Sequence, residues 1–132
     1  MADFDQDGAP DVVAVNGRVA RGPPVAEATL GPFWSQYGER NQVFANAGGG
    51  KFRDVSARNP ALCGEPGVYR GLACGDVDGD GAVDLLVTSL AGRARLFRNV
   101  APDRGRGLLV RAFDPAGPAT PSPTSNGPRS PP

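Results

Sequence analysis

The chain has no histidine, one methionine, one tryptophan and two cysteines among its 132 residues. The missing histidine excludes Ser-His-Asp and Cys-His catalysis and every His-ligated metal site. Cys63 and Cys74 lie eleven apart and form no Cys-x-x-Cys pair, so a zinc site would need further ligands. They can be bonded in an oxidising compartment or simply be buried, and two thiols alone do not decide between these. An excess of either charge is also lacking. The net charge is zero, so no overall field draws the chain to nucleic acid or to an anionic membrane. Thirteen of the fourteen basic residues are Arg, which reads as a base-composition bias and not as a binding signature. The longest aliphatic runs have about four residues, against the ~20 that a helical membrane span needs. Met1 leads directly into Ala2-Asp3-Phe4-Asp5, so no signal peptide is visible, and there is no Asn-x-Ser/Thr sequon.

Glycine and proline, by contrast, make up a quarter of the chain, and half of the prolines fall in the last eighteen residues. Few stretches run ten residues without one or the other, which disfavours a helical bundle. Short strands joined by many turns fit better, and the length allows at most one ordinary domain. The expected fold class is therefore all-β.

The acidic residues carry the main signal. Asp3, Asp5, Asp7 and Asp11 fall within nine residues, and so do Asp76, Asp78, Asp80 and Asp84. Both clusters read Asp-x-Asp-x-Asp-Gly-x-x-Asp, with Gly8 and Gly81 in the sixth position. Four like charges in one loop repel unless something neutralises them. A hard divalent cation with oxygen ligands does so. Calcium takes six to eight oxygens at roughly 2.3–2.6 Å and tolerates irregular geometry, whereas magnesium wants near-ideal octahedral geometry and keeps its waters. Three carboxylates at alternate positions, a glycine for the sharp turn, a main-chain carbonyl at Ala9 or Ala82 and the ninth-position Asp complete a ligand set for about two Ca2+ ions. The bland alternative, in which Asp-Gly pairs mark polar hairpin turns, suits one cluster better than two that agree at five positions.

These are not EF-hand loops. Position twelve, where an EF-hand carries a bidentate Glu, is Ala14 in one and Val87 in the other. Each loop leads into an aliphatic run, Val12-Val13-Ala14-Val15 or Leu85-Leu86-Val87-Thr88, that reads as a buried strand. Aligning the loops aligns their surroundings. In the second copy Tyr69–Gly75 leads in as a strand, Val83–Ser89 comes after the loop, and Leu96-Phe97-Arg98-Asn99 and Leu108–Phe113 are a third and a fourth. In the first copy Val43-Phe44-Ala45-Asn46 matches the third strand, Gly48-Gly49-Gly50 turns the chain, and Lys51–Val55 is the fourth. Four antiparallel strands with the metal loop between the first two is the layout of a β-propeller blade.

The run Asp-x-Asp-x-Asp-Gly-x-x-Asp, with Leu/Val-Phe-x-Asn further on, resembles the FG-GAP or VCBS repeat of integrin-alpha-type propellers and many secreted proteins. The stretch Arg70-Gly71-Leu72-Ala73-Cys74-Gly75-Asp76 through Asn99 is similar to the cartilage acidic protein group, whose members carry an ASPIC/UnbV segment after the last repeat. Leu108–Pro115 looks like the start of that segment. The resemblance covers residues 2 to 115. It implies an extracellular or cell-surface setting, structural calcium and a protein or matrix partner, with no nucleic acid and no membrane insertion. The first repeat is expected to lack its opening strand. About two blades are present where a propeller has typically four to eight, so the chain reads as a fragment that needs neighbouring blades to fold.

The expected division is a partial first blade over 1–55 with an insertion at 17–40, a second blade with the ASPIC/UnbV-like strand over 56–114, and a disordered Pro-rich tail over 115–132. The insertion, matched in the second repeat only by Leu90–Gly92, holds Phe33, Trp34 and Tyr37. They serve either as contact anchors of a binding loop or as cover for an open blade edge. Three functions are weighed: a non-enzymatic calcium-stabilised propeller fragment, a metal-dependent hydrolase, and a remnant without independent function. A hydrolase would have to draw its general base from Glu27, Glu39, Glu65, Asp54, Asp103 or Asp114, none of which pairs at a recognisable spacing.

Overall fold

A computed structural model of the chain describes residues 1–26, 29–102 and 104–105. Two three-stranded antiparallel sheets account for most of the regular structure. The first is β1 (Val12–Ala14), β2 (Gln42–Asn46) and β3 (Phe52–Asp54), and the second is β4 (Tyr69–Gly75), β5 (Asp84–Ser89) and β6 (Arg95–Phe97), each in chain order. The all-β expectation holds: both sheets are propeller-blade pieces built from the β-branched, aliphatic and aromatic runs. The turn from β2 to β3 is made by Gly48, Gly49 and Gly50 at φ of 76°, 58° and 73°, a left-handed run that side chains would strain. Ahead of β1, Ala2 and Asp11 form an isolated antiparallel bridge. The fourth strand expected at Leu108–Phe113, the ASPIC/UnbV-like segment and the Pro-rich tail lie outside the described residues.

The registers of the two sheets are equivalent. Val12 opposes Phe44 and Val13 opposes Val43 in the first, as Leu85 opposes Phe97 and Leu86 opposes Leu96 in the second. Because side chains alternate across a strand, each sheet has two faces, and the sheets meet through opposite ones. Val13, Val15 and Val43 of the first pack against a buried cluster that includes Leu85 and Val87 of the second, joined by Leu72 and Phe97. The short helix α1 (Gly31–Trp34) lies in the 17–40 insertion. The connector over 55–68 is helical, with a 3-10 turn at Ser56–Arg58 and α2 at Pro60–Cys63, and α2 adds Leu62 and Cys63 to the cluster. Burying each such apolar side chain contributes on the order of 1.5–3 kcal/mol. A groove of about 600 Å³ lies beside this cluster, with Phe4, Val13, Val43, Leu85 and Phe97 among its lining residues.

The ends of the insertion are tied to the second repeat. Glu39 and Gly67 exchange two 2.9 Å backbone hydrogen bonds, the Tyr69 amide donates to Asn16 O, and the Arg70 guanidinium donates to the carbonyls of Gly17 and Arg18. Phe33, Trp34 and Tyr37 pack on one another at centroid separations of 4.9 to 6.0 Å, mostly edge to face. Trp34 and Tyr37 are half-buried and Phe33 is exposed, so the trio forms a small satellite core of the insertion. Both cysteines are free thiols. Cys63 faces the core from α2, where burial pushes its thiol up from its ordinary value, while Cys74 is exposed near the end of β4.

One buried polar side chain joins these parts. Asn41 is 1% exposed, accepts from the Asn16 amide at 3.0 Å and donates to Leu62 O at 3.1 Å. Asn41→Ala leaves both backbone groups without that partner, and we expect it to destabilise by about 1–3 kcal/mol. The check is the urea midpoint at unchanged slope.

Candidate metal centres

Each aspartate loop is a cage in which carboxylates accept backbone amides. In the first, Asp3 takes the amides of Asp7 (3.0 Å) and Gly8 (2.9 Å), and Asp7 takes that of Ala9 (2.8 Å). In the second, Asp76 takes those of Asp80 (3.2 Å) and Gly81 (2.9 Å), and Asp80 takes that of Ala82 (2.9 Å). Gly8 and Gly81 have φ of 94° and 85°, and a Cβ at either would meet nothing within 4 Å. Backbone conformation, and not crowding, therefore requires glycine there. The fourth position is left-handed in both loops too: Gly79 at φ 76° in the second, but Gln6 at φ 57° in the first. Gln6 offsets that strain with a side-chain hydrogen bond to Gly81 O, which links the two loops.

The folding of each loop draws three carboxylates to one point. Asp3, Asp5 and Asp11 present oxygens within 4.8 Å of one another, and so do Asp76, Asp78 and Asp84. Asp7 and Asp80 stand outside these groups and cap the following turn, while Ala9 and Ala82 enter the cage through their amides. The charge is handled differently in the two copies. Around Asp5, burial and then the charges of Asp11, Asp7 and Asp3 hold the carboxyl above its ordinary value. In the second loop Arg98 pairs with Asp78 and Arg104 with Asp80 (2.9 Å), and the Ala82 amide and Arg104 hold Asp80 below its ordinary value. The position equivalent to Arg98 in the first copy is Ala45.

Asp11 and Asp84 have a second task. They are 4% and 2% exposed, and each spends one oxygen on its own loop and the other on an asparagine farther along its repeat, Asn46 at the end of β2 or Asn99 just past β6. Asp11 accepts from the amides of Phe4 (3.0 Å) and Asn46 (2.9 Å), and Asp84 from those of Val77 (3.0 Å) and Asn99 (2.8 Å). The side chains of the two asparagines continue the seam: Asn46 donates to Pro10 O (3.0 Å), and Asn99 to Phe4 O of the other loop (2.7 Å). Aligning the repeats put Asn46 on Asn99 without assigning either a role. Their recurrence after Leu/Val-Phe was the one signal available.

Of the other acids, Glu39 pairs with Arg18 and Glu65 with Arg95, and Asp54 accepts the Ser56 amide at 2.8 Å. Glu27, Asp103 and Asp114 lie outside the described residues. Among the described residues, no third group of acids gathers as the loops do, and no helix is long and apolar enough to cross a membrane.

Sheets of antiparallel strands, each with an Asp cage leading into a strand (β1 in one, β5 in the other), define a propeller-type repeat protein. A family model for FG-GAP-like repeats matches residues 3–87, well over half of the chain, and the chain belongs to that family. Its repeats are a non-enzymatic domain type that serves protein interaction, typical of extracellular or surface proteins. Searches of curated proteins and of solved structures gave no match.

Because Asp84 satisfies two amides from separate segments, Asp84→Ala should destabilise by about 1–3 kcal/mol, with Asp84→Asn less damaging since one acceptor remains. Urea titrations of both variants, in EDTA to remove any metal contribution, check the ordering.

Proposed function

We propose that the chain is a calcium-binding, non-catalytic propeller module of an extracellular or cell-surface protein. The observation that carries this is the convergence of three carboxylates in each of two equivalent cages, made only of hard oxygen donors and closed by a left-handed glycine. Asp3, Asp5, Asp7, Asp11 and the Ala9 carbonyl would hold one ion, and Asp76, Asp78, Asp80, Asp84 and the Ala82 carbonyl the other. The amides already bound to Asp3, Asp11, Asp76 and Asp84 do not prevent this, since a carboxylate offers about four lone-pair sites. Calcium here would be structural: it removes the repulsion within each cage, and the module then contacts a protein or matrix partner through its blades. The proposed division into blades 1–55 and 56–114 assigns one ion to each.

A hydrolytic role lacks support at the other polar hollow, of about 330 Å³, which includes Asp54, Ser56 and Cys63. Burial makes the Cys63 thiol a poor thiolate, and the Ser56 hydroxyl and amide lower Asp54, the opposite of what a general base at neutral pH needs.

Calorimetric titration should find about two calcium ions per chain, with Asp5→Ala and Asp78→Ala each removing one; unchanged stoichiometry in either variant would refute the ligand assignment. The arginines compete with the ion in the second cage. Arg98→Ala should therefore tighten the weaker site by roughly two- to fivefold, the range of an exposed ion pair, and leave the tighter one unchanged.

A further inference from the structure

Equivalent positions in the two sheets have opposite fates. Val13, Val15, Val43 and Ala45 form the face of the first sheet turned toward the second, and Val13, Val15 and Val43 pack against the core. By loop alignment and by register, their counterparts are Leu86, Thr88, Leu96 and Arg98. That face of the second sheet is open, with Leu86 43% and Leu96 53% exposed, directly opposite each other and beside exposed Ala73. Conversely, Leu85, Val87 and Phe97 of the second sheet are turned inward, whereas their counterparts Val12, Ala14 and Phe44, all half-buried, share the outer face of the first with Phe52, 45% exposed, and with Gln42, Asn46 and Asp54. Among the described residues the two sheets thus make one face-to-face contact, and each sheet carries on its other face the counterpart of the half its neighbour contributes, exposed at Leu86, Leu96 and Phe52.

We infer that a second copy of this chain docks head to tail, setting the Ala73–Leu86–Leu96 face of one copy against the Val12–Phe44–Phe52 face of the next. The repeat itself identifies the occupant, because the contact already formed between the sheets shows which two faces mate and in what order. Such a contact is heterologous, so it propagates until the rotation closes a ring. With two blades per chain and four to eight in a closed propeller, the ring would hold about two to four chains. The docking is apolar at its centre, with Thr88 and Arg98 beside it on one face and Gln42 and Asp54 on the other, and goes beyond the calcium reading.

Sedimentation velocity on the full chain in calcium tests it, with circular dichroism confirming that each variant folds. The wild-type chain should sediment as about two to four copies of its 13.6 kDa mass. Leu86→Asp with Leu96→Asp breaks one face and Phe44→Ala the other. Phe52→Asp replaces Phe44→Ala if that variant fails to fold. Each folded variant alone should fall to the monomer mass, and a mixture of the two should recover a one-to-one dimer, because each retains the face the other has lost. A monomeric wild-type chain, a variant that keeps the wild-type mass, or a mixture that stays monomeric would overturn the proposal. Repeating the wild-type run in EDTA separates the two readings, since loss of the oligomer there with retained β-structure would trace only to the metal.

Discussion

The carboxylates of Asp11 and Asp84 are the joints on which both repeats hang. Each is buried, and each binds one amide of its own loop and one amide of a strand that returns much later in the chain. Side-chain bonds from Gln6, Asn46 and Asn99 add further ties, but these two carboxylates are the buried ones that join loop to strand. Charge-assisted bonds of this kind are about twice as strong as neutral ones. Their geometry also fixes the pairing register, since moving the strand by one residue would present the wrong amide to the carboxylate and turn every side chain to the other face.

The same joint explains why the rest of the acidic loop can tolerate its charge. Backbone amides donate to most of the carboxylates, so part of the repulsion is met by oriented backbone dipoles alone. The remaining charge differs between the copies. The first loop keeps its uncompensated charge at Asp5, while the second has recruited arginines at its rim. Loops that share one motif therefore carry their charge unequally, and Arg98 and Arg104, both outside the motif, make the difference.

Much of this was legible in the sequence. The strands could be placed because aliphatic runs of about four residues follow each acidic loop, and the cages because the aspartate spacing repeats with its glycine. The role of Asn46 was hidden, since its partner lies 35 residues away and its bonding amide belongs to the backbone, which no residue type advertises. The insertion was ambiguous for a related reason. Three aromatic rings among Gly and Pro can anchor a partner or one another, and the choice depends on the backbone bonds that fold 17–40 onto the second repeat. The turns of helix over 56–63 were missed as well: four residues carry too little periodicity to register.

A period-two pattern reports that one face is buried but not what buries it. In the second sheet both faces are apolar, Leu85 and Val87 on one and Leu86 and Leu96 on the other. Such a strand belongs between two layers, as does any interior unit of a stacked repeat. An end unit evolved to meet water would carry polar residues at the outer positions. Leu86 and Leu96 are instead as apolar as Val13 and Val43, the residues that occupy those positions where a neighbouring sheet does cover them. The Leu86–Leu96 pair thus has the composition of a contact surface, and the contact between the two described sheets is the pattern from which its complement is inferred.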